Sequence, residues 1–168
     1  KNSFMAGKIL IFGATGSVGS SLAELLSKDS YSNHLIAKNE DEVSKLAEET
    51  KSSYTVADVT DQNFIDKIDK DLQNEDIAGI AYCVGSIDLK PINLVTKKDY
   101  LKSFELNLFP IIEVIKKYKE NLKKNKSSIV LFSTVAVKQG FANHSIISPV
   151  KASLEGLTVS LAAEMAPN

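Results

Sequence analysis

Three evenly spaced glycines are the residues of this sequence whose type and position best fit a chemical role. Gly13, Gly16 and Gly19 follow an apolar run, Lys8–Phe12, and precede apolar residues at helical spacing. Glycine tolerates positive φ angles and brings no side chain into the path of a ligand. The N-terminus of the next helix presents unpaired N–H groups and the positive end of its dipole to an anion. This order of strand, turn and helix predicts a phosphate-binding turn.

Other small or polar residues lie where further strands are predicted to end. Asp58 follows a short strand, Gly85 closes an apolar strand, and Ser133 and Thr134 follow the last strand. Ligands of open parallel sheets bind at the carboxyl ends of the strands. We therefore expect these residues at the same edge of the sheet as the glycine turn.

Strand and helix patterns alternate along the chain and must position these residues. After the first strand and helix, strands are predicted at 34–37, 54–57, 77–84 and 129–132, and helices at 40–50, 64–72, 101–122 and 148–165. Thr60 or Asp61 is expected to cap the second of these helices, and Pro110 to bend or split the third. Continuous apolar strands between helices predict an α/β fold: a Rossmann-like, doubly wound parallel sheet in three layers, α/β/α. We expect one domain over residues 1–168.

Composition excludes several classes of function. Of the 168 residues, 43% are hydrophobic and 24% charged, which is typical of a globular protein, and the net charge of −1 gives no general attraction to nucleic acid or anionic membranes. The single cysteine, Cys83, excludes an internal disulfide and fits a reducing compartment. No set of side chains has metal-ligand spacing. We expect a cytoplasmic protein without a metal, nucleic-acid or membrane partner.

A few residues receive structural interpretations. Lys1–Phe4 do not build a signal peptide, and Met5 fits a natural start. Cys83, inside an apolar strand, is interpreted as a packing residue. His34, at the start of a strand, is expected to be exposed.

In this order the motifs resemble those of the short-chain dehydrogenase/reductase family over nearly the whole chain. The segment GATGSVG is similar to the family's glycine turn in its G-x-x-G-x-x-G form, and Asp58 and Val59 resemble the D-V segment whose aspartate binds the adenine edge. Gly85 is the one residue kept from the family's N-N-A-G segment. The turn residues that the resemblance assigns to cofactor binding are Gly13, Thr15, Gly16, Ser17, Val18 and Gly19.

The resemblance extends to catalytic residues, with one departure. Asn107 resembles the helix asparagine of the family's catalytic tetrad, Thr134 stands at the serine position, and Lys151 looks like the catalytic lysine. The family's tyrosine lies one helical turn before its lysine, and Ile147, which has no proton to transfer, stands there. The intervals between the other three positions match the family, so the frame is secure. His144 can supply a proton if its loop folds inward, although a surface histidine is the simpler interpretation.

The resemblance implies an NAD(P)-dependent oxidoreductase that transfers hydride between nicotinamide and a carbonyl or alcohol substrate, impaired by the loss of the tyrosine. The alternative is a catalytically inactive dinucleotide-binding protein with a regulatory or structural role. Lys151 also hydrogen-bonds the nicotinamide ribose in the family. Lys38 follows the second strand where an acidic residue would favour NAD, and Ser17 can donate to a phosphate, so we favour NADP over NAD.

The family continues beyond this sequence with two further strands and substrate-covering loops, whereas the sequence ends at Asn168. We expect that a further segment or a partner covers the edge of the last strand, because exposed apolar edges promote association. The helix patterns over 107–122 and 148–165 resemble the family's subunit interface, which implies a homodimer or homotetramer.

Overall fold

The computed structural model describes residues 7–167, so the predictions on Lys1–Phe4 and Met5 lie outside it. Short 3₁₀ turns lie at Ile92–Leu94 and Val135–Val137. The strands and α-helices of the described chain are, in order, β1 (Lys8–Phe12), α1 (Ser17–Lys28), β2 (Asn33–Ala37), α2 (Glu40–Thr50), β3 (Ser53–Val56), α3 (Phe64–Leu72), β4 (Ile77–Tyr82), α4 (Lys97–Asn107), α5 (Phe109–Lys124), β5 (Ser128–Leu131) and α6 (Ile147–Met165).

The strands form one sheet in the order β3-β2-β1-β4-β5. β1 pairs in parallel with both β2 and β4, and β2 pairs in parallel with β3. The chain runs outward from β1 to β3 and then returns to the other side of β1, so the strand order reverses between β1 and β4. Such a switch point is where open α/β sheets bind ligands. The predicted Rossmann-like, doubly wound α/β fold is confirmed.

The described chain divides into two compact units. The first comprises residues 7–83 and 118–130 and is built on the sheet; the second comprises residues 84–117 and 131–167. In the first unit Ile11 and Leu35 of the sheet pack with Ala23 of α1 and Val43 of α2 in one buried cluster. Burial of such apolar side chains is worth roughly 1.5–3 kcal/mol each.

Capping and proline geometry determine where α4 begins and where α5 starts. Thr96 and Asp99 form a capping box at the start of α4, each side chain accepting from the other's backbone N–H. α4 ends at Asn107 and α5 begins at Phe109, directly before Pro110. Because proline lacks an N–H and clashes with the preceding turn, it does not continue a helix already under way. The prediction that Pro110 bends or splits the helix is confirmed.

His34 is fully buried in β2, so the expectation of an exposed histidine is wrong. Its Nδ1 and Nε2 each lie 2.8 Å from a hydroxyl of β3, those of Ser53 and Thr55. Thr55 donates its one hydroxyl proton to the Asp71 carboxylate (2.7 Å), so it accepts from Nε2–H of His34. Burial lowers the pKa of His34 to about 4.

This burial predicts a pH dependence of stability. The unfolded chain takes up the His34 proton near its ordinary pKa of 6.5, whereas the folded protein does so only near about 4. The free energy of unfolding should therefore fall between these pH values as the pH is lowered, by about 3 kcal/mol in total. Urea unfolding over this range should show a shallower slope for His34→Gln than for His144→Gln, the control. Equal slopes would contradict the assignment to His34.

The start of α1 approaches the end of β1 closely. Gly13 has a φ of +69°, and the N–H groups of Gly13 and Ala14 both donate to the Ile36 carbonyl, at 2.9 and 3.2 Å. A Cβ added at Gly19 would lie 2.8 Å from Ala14 Cα and 3.0 Å from the Gly13 carbonyl carbon. The neighbours are backbone atoms of a turn tied to β2, so they cannot move aside cheaply. A Cβ at Gly156, in α6, would have nothing within 4 Å.

We predict opposite effects of alanine at these two glycines. Gly19→Ala should destabilise the protein by about 1–3 kcal/mol, the usual cost of overpacking. Gly156→Ala should stabilise it by about 0.5–1 kcal/mol, because glycine is the poorer helix former. Urea unfolding of both variants measures the difference. Similar stabilities of the two variants would show that α1 does not depend on the close approach.

Candidate cofactor and active site

The glycine turn leaves the N-terminus of α1 uncapped. Gly16 occupies the cap position without a side-chain hydrogen bond, and the first turn of α1 carries no acidic residue. Ser17 and Val18 are exposed. By contrast, the Asn39 side chain accepts from the Glu42 N–H and caps α2, whose first turn is acidic. Of these two helices, α1 is therefore the one whose first N–H groups can receive an anion.

Lys38 and Asp58 follow the carboxyl ends of β2 and β3. The Asp58 Oδ1 accepts from both the N–H (2.9 Å) and the hydroxyl (2.7 Å) of Thr60. These two hydrogen bonds, with a smaller contribution from the Lys38 charge, lower the pKa of Asp58. The carboxylate is therefore charged and held in one orientation, and Val59 beside it is buried.

The same hydrogen bonds explain why the predicted cap of α3 is wrong. Neither Thr60 nor Asp61 caps that helix, which begins at Phe64 after Asn63 without a side-chain hydrogen bond. The Thr60 hydroxyl donates to Asp58 instead, because a charged acceptor two residues away is the stronger partner.

In the second unit, Gly85, Asn107 and Lys151 come together. A Cβ added at Gly85 would lie 3.0 Å from Asn107 Oδ1 and 3.1 Å from Lys151 Nζ, so both polar atoms lie beside the bare backbone. Asn107 is fully buried; its amide donates to the Ser103 carbonyl (2.9 Å), while its Oδ1 has no hydrogen-bond partner in the described chain. An unsatisfied buried acceptor costs roughly 1–3 kcal/mol, so this atom is a place where a donor would be bound favourably.

Lys151 is half-buried on α6. Its Nζ donates to the carbonyl of Phe132, which follows β5, at 3.1 Å. Burial lowers the pKa of Lys151, because the ammonium is less well solvated there than in water. The ammonium carries two more protons, which are available to a ligand beside Gly85.

Thr134 and Ile147 complete the set of predicted catalytic positions. Thr134 is half-buried, and its Oγ1 accepts from the Ala136 N–H (3.3 Å) at the start of the 3₁₀ turn, which leaves its proton to donate. Ile147 is the first residue of α6, with 2% of its surface exposed. The geometry therefore brings together two of the predicted catalytic residues, Asn107 and Lys151, beside Gly85. No hydrogen bond links Thr134 to Lys151 among the described residues.

A cavity of about 580 Å³ in the second unit was not found from the sequence. It lies between the loops that follow β4 and β5, both of which contain Gly and Asn residues. Because ligands of parallel sheets bind among the loops that follow adjacent strands, the positions of these two loops in the sequence are the signal that could have located the cavity. The residues that line it are Pro91, Ile92, Asn93, Ala136, Gly140, Phe141, Asn143, His144, Ser145, Ser148 and Pro149.

Other types of site find no support over residues 7–167. No group of three or more His, Cys, Asp or Glu side chains there can hold a metal ion. No helix of that range is long and apolar enough to cross a membrane. Cys83 packs against the core cluster of the sheet, and burial raises the pKa of its thiol to about 11, so a reactive thiolate is disfavoured.

Each unit, taken by itself, presents a feature that fits one group of a dinucleotide. In the first unit the glycine turn brings uncapped backbone N–H groups to the switch point of the sheet. In the second unit a side chain at Gly85 would fill the space in which Asn107 and Lys151 present an acceptor and a cation. These features are suited to a pyrophosphate and to a ribose hydroxyl, respectively.

Comparisons with known proteins agree with this fold. A short-chain dehydrogenase/reductase family protein is 19% identical, with 98% of this chain and 71% of that chain covered and a TM-score of 0.89. A short-chain dehydrogenase from Streptomyces avermitilis is 23% identical (96% and 62% covered, TM-score 0.88). A variant of actinorhodin polyketide ketoreductase, solved with NADPH, is 20% identical (96% and 66% covered, TM-score 0.87). At these identities the likeness establishes the fold alone.

Sequence comparison establishes the family. A comparison with curated proteins finds no match. A family profile described as enoyl-(acyl carrier protein) reductase matches residues 13–168, which is nearly the whole chain and includes the glycine turn, Asn107 and Lys151. The match and the fold together confirm the predicted resemblance: the chain belongs to the short-chain dehydrogenase/reductase family.

Proposed function

We propose that the protein is an NAD(P)-dependent oxidoreductase that transfers hydride between the nicotinamide ring and a small-molecule carbonyl or alcohol. The observation that carries this proposal is the cluster of Gly85, Asn107 and Lys151, which offers a cation and an unsatisfied buried acceptor beside bare backbone. When bound, the reduced cofactor supplies the hydride. A location in the cytoplasm, assembly as a homodimer or homotetramer, and action of residues 1–168 as one cofactor-binding domain stay predictions.

The first unit would bind the adenine half of the cofactor. The N–H groups at the start of α1, with Ser17, would hold the pyrophosphate. Asp58, kept ionised and oriented by Thr60, would accept from the adenine amino group, with Val59 beside it. Lys38 is exposed after β2 and would pair with a 2′-phosphate, which supports NADP over NAD. The similar fold solved with NADPH points the same way.

The second unit would bind the nicotinamide half and the substrate. Lys151 has protons to donate to the ribose hydroxyls while it remains bonded to Phe132. Thr134 has a hydroxyl proton to donate to the substrate oxygen. As negative charge develops on that oxygen, these donors would stabilise it without reorganisation, because their positions are already fixed.

Ile147 supports a second candidate function, a dinucleotide-binding protein without catalysis. The side chain at the family's tyrosine position is apolar and buried, and it cannot take part in proton transfer. Loss of a general acid typically costs 10²–10⁴-fold in rate, or about 3–5 kcal/mol of barrier. Such a loss slows the reaction but does not abolish it, because the cofactor would still supply hydride to a correctly positioned substrate. The two candidate functions therefore differ in whether the wild-type protein shows a slow turnover.

Cofactor binding is tested by thermal unfolding with NADPH and with NADH. At about 100 times its dissociation constant a ligand adds ~2.7 kcal/mol of stability, and we expect the larger shift with NADPH. Lys38→Met should reduce the NADPH shift and leave the NADH shift unchanged. Lys45→Met, which removes an exposed lysine of α2, is the control and should change neither thermal shift. Absence of a shift with both nucleotides would overturn the proposal, and a larger shift with NADH would overturn the preference for NADP.

Turnover is tested by paired substitutions at position 147. Ile147→Tyr adds a general acid one turn before Lys151. If no other side chain protonates the substrate, the variant should raise the rate of NADPH oxidation with a panel of carbonyl compounds by up to about 10²–10⁴-fold. Ile147→Phe adds nearly the same volume without the hydroxyl and should not raise the rate. Thermal unfolding of both variants checks that the buried position accepts the larger ring.

The wild-type protein distinguishes the two candidate functions in the same assay. Measurable wild-type activity that falls with Thr134→Val, which replaces the hydroxyl with a methyl group of similar size, would support the enzyme. Activity that appears only in Ile147→Tyr would support the non-catalytic dinucleotide-binding protein.

A further inference from the structure

We propose that His144 is a catalytic residue that gives the proton to the substrate oxygen, in place of the tyrosine that position 147 lacks. This inference rests on the proposed oxidoreductase function and assigns its proton source. From the sequence, a surface histidine is the simpler interpretation. Three features of the structure favour the catalytic role: His144 lines a cavity, its ring is held in one orientation, and its loop is anchored.

His144 is the one histidine among the described residues that line the cavity of the second unit. The other lining side chains are apolar, amide or hydroxyl groups, and none carries a charge. Within this set, a proton for a bound ligand can come only from His144 or from water, since histidine changes protonation between pH 5 and 8. The cavity adjoins the predicted catalytic positions through Ala136, which donates to Thr134, and through Ser148, which follows Ile147.

The orientation of the His144 ring is fixed by its own loop. Nδ1 lies 2.8 Å from the Ala142 carbonyl oxygen. A carbonyl can only accept, so Nδ1 carries a hydrogen, and Nε2 is the nitrogen that exchanges a proton with a ligand. The Phe141 ring lies 5.3 Å from the imidazole, centroid to centroid, and limits its rotation. A histidine held through one nitrogen with the other available is the arrangement required of a general acid.

Backbone hydrogen bonds anchor the loop on both sides of His144. The carbonyl of the preceding residue, Asn143, accepts from the Lys90 N–H (3.1 Å), and the carbonyl of the following residue, Ser145, accepts from the Tyr100 hydroxyl (2.7 Å). The His144 carbonyl itself accepts from the Ser148 N–H at the start of α6 (2.9 Å). A general acid must be held within hydrogen-bond reach of its target, and these contacts fix the backbone from which the ring extends.

Lys90, whose N–H donates to the loop, and Asp99 are charged groups of the neighbouring segments, and Lys138 belongs to the loop itself. Lys90 and Asp99 pair with each other at 2.6 Å, and Asp99 also accepts from the Thr96 N–H and hydroxyl. None of these three charged side chains lines the cavity. A lining without charged side chains suits a neutral ligand with apolar substituents, which Pro91, Ile92 and Phe141 would contact. For the proposed oxidoreductase this would be a neutral carbonyl compound.

The proton transfer balances in atoms and charge. The bound reduced nicotinamide would supply hydride to the carbonyl carbon. The π electron pair of the C=O bond would then move to oxygen, and that oxygen would take the Nε2 proton of the His144 imidazolium. The products are the alcohol, the oxidised cofactor and neutral imidazole, which regains its proton from water. In the oxidation direction the neutral imidazole accepts the alcohol proton.

The test compares the wild-type protein with His144→Gln, with ethyl acetoacetate as the neutral carbonyl probe. We expect kcat for NADPH oxidation to fall 10²–10⁴-fold in the variant, the usual contribution of a general acid. The wild-type rate should decline as the pH rises through the range in which imidazole loses its proton, and the variant profile should be flat there. Lys116→Gln, an exposed change on α5, serves as the control and should retain the wild-type rate and profile.

A second measurement does not depend on turnover. Ethyl acetoacetate, added without cofactor, should shift the imidazole NMR signals that are absent from His144→Gln, and should leave those of His34 unchanged. The chain has only these two histidines, so the two variants assign the signals.

The outcomes separate this proposal from the proposed function. Retention of the wild-type rate and pH profile in His144→Gln would overturn the role of His144. No turnover by the wild-type protein, with NADPH still raising its melting temperature, would also overturn it while leaving cofactor binding intact. Absence of any stabilisation by NADPH or NADH would instead overturn the proposed function itself.

Discussion

The close approach of α1 to the end of β1 is the constraint on which the candidate cofactor site depends. Gly19 allows it, because a side chain there would overlap the backbone of Gly13 and Ala14. The positive φ of Gly13 turns the chain, and two N–H groups of the turn bond to one carbonyl of β2. Helix, turn and two strands are therefore fixed together. The uncapped N–H groups of α1 are consequently held in fixed positions. An anion can bind to them without the free-energy cost of ordering the backbone first.

Buried polar groups impose a second constraint, which differs between the two units. In the first unit both ring nitrogens of His34 have hydrogen-bond partners, Ser53 and Thr55. Burial disfavours the charged imidazolium and therefore lowers the pKa of His34. In the second unit Asn107 retains an unsatisfied oxygen in a fully buried position. The satisfied group, His34, favours one register of β2 against β3, because the hydroxyls of β3 have to lie opposite its ring. An unsatisfied group such as Asn107 destabilises the fold and is compatible with stability only if the fold has a margin or a ligand supplies the donor.

The sequence predicted best what depends on neighbouring residues. The bounds of α2 and the helical pattern of α3 agree with the structure because apolar spacing determines which helix face is buried. The break before Pro110 follows from proline geometry alone. His34 could not be placed, because the hydroxyls that satisfy it lie on another strand and no local pattern links them. Likewise the Thr60 cap failed because the hydroxyl had a better acceptor in Asp58, and the cavity depends on two loops that are distant in sequence.

The apolar residue at position 147 separates two properties that family membership usually joins. The proposed cofactor binding would use backbone N–H groups, bare glycine positions and the Lys151 ammonium, and none of these involves the side chain at 147. Proton transfer depends on one titratable group within reach of the substrate oxygen. A chain can therefore lose the second property and keep the first at no cost in stability, because a buried isoleucine packs well where a buried phenol would need a partner. The same independence means that a proton donor on an anchored loop such as that of His144 can take over the role without any change in the cofactor site.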